Sequence, residues 1–225
     1  MDGMRFLLRR TFGRWYLWVF PMAFGAAILL ASILEPGEEG NTDYILSRLM
    51  GSGTGGCLFA MMMGSSLSAD LTGNRCMRSA PIAKRLITRS VPIFFTALLT
   101  VNALVTDGIY AAAVLARGGA VSDISDFVIL SAYAVLLCVL VAVIAVNLRY
   151  GMILLIYAYI PIMLAALIVP RSIKMNGFGL PLGAAAAILA GAAVLALVLG
   201  IAISEAFYKK SNFKAYVAGA ELSNM

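Results

Sequence analysis

The chain has 225 residues, of which 62% are hydrophobic and only 12% charged, and its mean hydropathy is +0.94. A soluble domain carries about 45–50% apolar and ~25% charged residues, and a chain of this length has too little interior to hide the excess, so a water-soluble globule is excluded. There is no histidine, which removes histidine zinc sites, Ser-His-Asp and Cys-His nucleophiles and histidine proton relays; the net charge of +6 points to anionic lipid or an acidic partner and not to nucleic acid.

In chain order, the first element is a short interfacial helix over residues 1–14. Met4, Leu7, Leu8, Thr11, Phe12 and Trp15 share one helical face, while Arg5, Arg9, Arg10 and Arg14 fall away from it. Phe6 breaks the pattern. The Arg-Arg-Thr-Phe-Gly run is not an export signal, because the apolar segment behind it is long, opens on Trp15, Tyr16, Trp18 and Phe20, and is followed by further spans.

Six apolar runs of membrane-crossing length follow, Trp15–Leu34, Ile45–Leu67, Pro92–Leu115, Phe127–Leu148, Met152–Val169 and Pro181–Phe207. They are continuous and do not alternate, so they predict helices and not barrel strands. The expected architecture is one all-α membrane domain over 15–207, with a tail over 208–225. An even number of spans puts both termini on one side. With the termini in the cytoplasm, thirteen of the 17 Lys and Arg residues face inward, and only Arg48, Arg117, Arg171 and Lys174 face out.

Within the second run, Gly-Ser-Gly-Thr-Gly-Gly over 51–56 resembles a phosphate loop, yet no Lys-Ser or Lys-Thr follows and no strand precedes it. Gly51 with Gly55 instead makes a small-xxx-small pair for close helix packing. Met61 and its neighbours supply adaptable side chains, suited either to a greasy path or to plain lipid contact. The three cysteines, Cys57, Cys76 and Cys138, suggest packing residues and no disulfide framework.

The inner loop over 70–91 concentrates the polarity. Gly73 and Asn74 suit a turn, Ser79 suits a helix N-cap, and Pro81 is tolerated in a first turn, so a two-turn helix is expected from about Ala80 to Thr88. Ile82, Ala83, Leu86 and Ile87 give it an apolar side; Lys84, Arg85 and Arg89 give it charge. That combination reads as a segment that docks into a groove on a cytoplasmic partner, with a basic surface loop as the alternative.

Ionisable residues within the spans are few. Asp107 falls in the outer third of the third run, where it either hydrates a substrate path or snorkels to the interface; Glu205 reads as a locally paired interfacial charge. Pro161 is the strong breaker within a span.

This layout, an amphipathic elbow, six spans and the basic helix-forming loop Asp-Leu-Thr-Gly-Asn-Arg-Cys-Met-Arg-Ser-Ala-Pro-Ile-Ala-Lys-Arg-Leu-Ile-Thr-Arg-Ser-Val-Pro over 70–92, resembles the ABC-2 type permeases of bacterial ATP-binding-cassette exporters. The loop is similar to that of small Gram-positive exporters of peptides and antibiotics, such as the phenol-soluble modulin type. The resemblance implies a coupling helix around Ser79 to Thr88, with Ser79, Ile82, Ala83, Arg85, Leu86 and Arg89 receiving the stroke of a separate ATPase that carries ATP and Mg. It implies a second permease subunit, no cofactor or catalytic residue in this chain, and a path lined by spans two and five; Met61, Asp107 and Tyr157 are the candidate path residues. It places the chain in the bacterial cytoplasmic membrane. One departure is that only Val169 to Leu180 lies between spans five and six, where the family often has re-entrant helices. The rival readings are a secondary transporter or channel, and an intramembrane enzyme or assembly factor.

Overall fold

A computed structural model describes residues 82–116, 118, 121–147 and 178–210, together with the single positions Arg5, Leu7, Arg9, Gly13, Val19 and Ala23. Among the described residues everything regular is helical. Helix α1 spans Ala83–Ala116, α2 Val121–Asn147 and α3 Leu182–Lys210. All three are long and apolar enough to cross a membrane, so the chain is a helical membrane protein. The predicted spans at Pro92–Leu115, Phe127–Leu148 and Pro181–Phe207 fall on α1, α2 and α3. Those at Trp15–Leu34, Ile45–Leu67 and Met152–Val169 lie outside the described residues except for Val19 and Ala23, both helical.

Helix α1 differs from the expected break between a short loop helix and a span starting at Pro92. It runs without interruption through a π turn over Leu86–Ser90. The physical reason is Pro92 itself. A proline has no N–H to donate, and in an α-helix its ring collides with the carbonyl four residues back, here Thr88. Widening the preceding turn removes the collision: the Val91 N–H donates to the Leu86 carbonyl, five residues back. The Thr88 hydroxyl donates to the Lys84 carbonyl at 2.8 Å, holding the turn before it. A helix of 34 residues is about 51 Å long, well beyond the ~30 Å of hydrocarbon, so its first turns project past the apolar layer.

Chain reversal after α1 uses Gly118, whose φ of 71° lies in the left-handed region that closes helix C-termini; its N–H donates to the Leu115 carbonyl at 3.1 Å. Helix α2 then begins at Val121, earlier than its apolar run suggests. The polar residues Ser122, Asp123, Ser125 and Asp126 form its first turns, where an acid such as Asp123 suits the positive helix end. Two of them hold the lead-in to α3. Ser125 Oγ donates to the Leu180 carbonyl at 2.5 Å, and the Phe178 N–H donates to Asp126 Oδ1 at 3.2 Å. Helix α3 follows Pro181, whose carbonyl accepts from the N–H groups of Ala184 and Ala185.

Side-chain pairings give the helix directions. Asp107 meets Ser131 and Tyr110 stacks on Phe127, so α1 and α2 are antiparallel. Ser125 meets Leu180 and Asn147 Nδ2 donates to Ser204 Oγ at 3.2 Å, so α2 and α3 are parallel. The end of α2 and the start of α3 therefore lie at opposite ends of the bundle.

Helix α2 is the central element, packed on both neighbours, and α3 is the most exposed. Phe95 and Leu99 of α1, Val139, Ala142, Val143 and Val146 of α2, and Ala185, Leu189 and Ala196 of α3 make one core, which Leu7 joins. In lipid such contacts stabilise by close packing and not by water exclusion, hence the small residues at the seam. Gly200 shows the closest approach: a Cβ there would lie 3.3 Å from Pro92 Cβ and 3.4 Å from Val143 Cγ2. Outward faces carry Val101, Leu104, Val105, Val194, Leu195 and Val198, exposed as hydrocarbon contact requires.

The Asn147 to Ser204 bond joins the far ends of α2 and α3. Replacing Asn147 by Leu is expected to lower the melting temperature of the detergent-purified protein slightly, in line with a loss of about 0.6 kcal/mol for an average interhelical hydrogen bond in a membrane. The same Nδ2 also donates to the Val143 carbonyl within α2 at 2.8 Å, and a drop as large as that of a core truncation would show that Asn147 does more than these two bonds.

Candidate functional site

Two features carry chemistry. The first is Asp107, which is 7% exposed on the inward face of α1. Ser131 Oγ of α2 donates to Asp107 Oδ1 at 2.5 Å, across the helix interface. Asp107 Oδ2 is buried and receives no hydrogen bond among the described residues. The carboxylate therefore does not snorkel outward. It is about 14 Å from the Ala116 end of α1 and turned toward α2.

Other polar groups of α1 surround this level. Thr106 is self-satisfied, its hydroxyl donating to the Ala103 carbonyl at 2.9 Å and the Asn102 carbonyl at 3.1 Å. Thr96 and Thr100 are not: their hydroxyls are buried and have no partner among the described residues. Residues four and seven apart share a helix face, so Thr96, Thr100 and Asp107 form one stripe. Between α1 and α2, beside Ser131, lies a recess of about 20 Å³ lined by Leu99, Asn102, Ala103, Thr106, Ser131, Ala134, Val135 and Cys138. That is room for about one water molecule. Tyr110, one turn on, stacks against Phe127 with centroids 4.1 Å apart and closes the site toward Ala116.

The second feature is the start of α1. Lys84, Arg85 and Arg89 are exposed, as is Ile82 at 39%, whereas Ala83, Leu86, Ile87 and Thr88 are buried within this chain. The apolar side that the sequence reading assigned to a partner's groove is thus largely filled from inside. Leu86 and Ala83 are each 2% exposed and Leu86 belongs to the core. The reason is continuity with the span: residues in phase with the inward face of Val91 and Phe95 stay inward across the π turn. What this segment offers a partner is Ile82 with three cations.

Near the N-terminus, Arg5, Leu7, Arg9 and Gly13 are helical; Leu7 is fully buried, and Arg5 and Arg9 are exposed. Glu205 is half-buried in the last turns of α3, next to Ser204. Ser79, Gly51, Gly55, Met61 and Tyr157 lie outside the described residues. Among the described residues no group of three acid or cysteine side chains is arranged to hold a metal.

Sequence reasoning found Asp107 but not its partner. Ser131 is visible as a hydroxyl in an apolar run, but which acid it meets depends on the register of two helices. The chain matches no protein-family model, no curated protein and no solved structure.

Proposed function

We propose that this chain is the membrane-spanning permease subunit of an ATP-driven exporter of the ABC-2 type, moving an apolar or amphipathic cargo, such as a cytolytic peptide or hydrophobic drug, out of a bacterial cell. In this reading it sits in the cytoplasmic membrane with six spans and both termini inside, and pairs with a second permease. An ATPase in a separate chain holds ATP and Mg; this chain performs no hydrolysis.

One observation carries the proposal. Helix α1 is longer than the hydrocarbon layer and projects an exposed basic face of Lys84, Arg85 and Arg89, with Ile82 beside it, from the end assigned to the cytoplasm. A span continuous with such a face is a rigid lever. A soluble partner that binds the cations moves the whole helix, and with it the core built on Phe95 and Leu99. The absence of a Walker A lysine in the sequence fits a division of labour in which the partner supplies hydrolysis.

Reversing the charge at Arg85 and Arg89 together is the direct test. These side chains are exposed, so the Arg85→Glu, Arg89→Glu variant is expected to fold and elute like the parent, while an ATP-binding-cassette ATPase co-purifies with the parent and is lost from the variant. For single substitutions the loss relative to the parent should be largest at low ionic strength and shrink as salt screens these exposed charges. Vanadate-sensitive ATP hydrolysis should appear only with the ATPase present. Hydrolysis by the isolated chain, or unchanged ATPase recovery in the double variant, would reject the assignment.

A further inference from the structure

The proposed function gives the cargo only an apolar or amphipathic character. The Asp107 site says more. An ionisable side chain inside a membrane is costly and persists where something pairs with it. Here the described residues provide one donor, Ser131, to one oxygen, and leave Oδ2 bare. Among the described residues no further acid or cysteine joins Asp107 in a group that could hold a metal ion. A positively charged hydrogen-bond donor needs only one such oxygen and forms a short, charge-assisted bond with it.

We infer that Asp107 is the docking group for an ammonium or guanidinium of the cargo, which makes the exported substrate a cationic amphiphile; this rests on the exporter reading. Bare hydroxyls on the same stripe extend the polar track, Thr100 about 10 Å and Thr96 about 16 Å along the helix from Asp107. An amphipathic helical cargo lying along α1 repeats its own polar residues at the seven-residue spacing that separates Thr100 from Asp107. The recess beside Ser131 holds about one water, so the described conformation is closed at this level, with the Ser131 hydroxyl occupying the carboxylate oxygen that faces α2. Parting α1 from α2 breaks that bond and frees both oxygens for the cargo.

The test is ATP-dependent uptake by inside-out vesicles from the native cell. The probes are a fluorescent amphipathic helical peptide of leucine and lysine and the same peptide with every lysine acetylated. The expected result is preferential uptake of the cationic peptide. Asp107→Asn, which preserves shape and the Ser131 bond, should reduce that uptake about tenfold and leave the acetylated peptide unaffected. Ser131→Ala removes the same interhelical bond but keeps the charge, so it should retain the preference. If Asp107→Asn leaves uptake of both peptides unchanged while Ser131→Ala lowers both alike, Asp107 is only a structural link through that bond and the inference fails. Equal ATP-driven uptake of the two peptides by the parent would overturn the cationic cargo while leaving the exporter reading standing. If neither peptide moves with ATP, the exporter reading and the inference fall together.

Discussion

Leu86→Asp is expected to abolish recovery of folded protein. Leu86 is 2% exposed, sits in the first residue of the π turn, and packs into the core that all three helices share. A carboxylate there would sit in an apolar cluster and could not reach water without dragging the turn outward, which costs several kcal/mol. Leu86→Met keeps volume and polarity and should cost less than about 1.5 kcal/mol. Ile82→Asp makes the informative contrast. Ile82 is 39% exposed, so this variant should accumulate and melt like the parent, and any loss of partner binding would report on the surface. Fluorescence-detected gel filtration of the three variants, followed by thermal melting, checks the ranking. Normal folding of Leu86→Asp would mean that this side chain is open to a partner and that the start of α1 is not part of the core.

A comparable loss is expected from Gly200→Leu. At Gly200 the backbone of α3 passes Pro92 of α1 and Val143 of α2 so closely that even a methyl group would sit 3.3 and 3.4 Å from their side-chain carbons. Both neighbours are short and stiff: a proline ring has no rotamer to offer, and a β-branched valine has one preferred χ1. Alanine therefore needs a shift of a few tenths of an ångström, a strain offset in part by the ~1 kcal/mol that alanine gains over glycine in a helix. A near-neutral melting temperature is the expected outcome for Gly200→Ala. Leucine cannot be admitted without parting the helices, and overpacking of this kind costs about 3 kcal/mol. Disulfide trapping between cysteines placed on the facing sides of α1 and α3 would show the separation as slower cross-linking. A Gly200→Leu protein that melts and cross-links like the parent would show that this approach is dispensable.

What the amino-acid sequence determined by itself is the solvent and the class of element. The excess of apolar residues leaves lipid as the only surrounding that accommodates them, and lipid admits only structures that satisfy their own backbone, so helices follow wherever the runs are continuous. The positions of α1, α2 and α3 were legible for that reason, and so was Asp107, because a single acid in an apolar run stands out whatever it touches. Tertiary structure decided what lies in register with what. Whether Pro92 ends a helix or is absorbed by a π turn depends on the packing around it, and burial of Pro92 against Gly200 favours one continuous rod. The facing of Leu86 was invisible for the same reason. Its apolar side fits a partner's groove or this chain's own core equally well, and only continuity with Val91 and Phe95 turns it inward. The partner of Asp107 was set by the antiparallel match of α1 with α2, which no local pattern encodes, because lipid-facing and helix-facing positions in these spans are built from the same apolar residues.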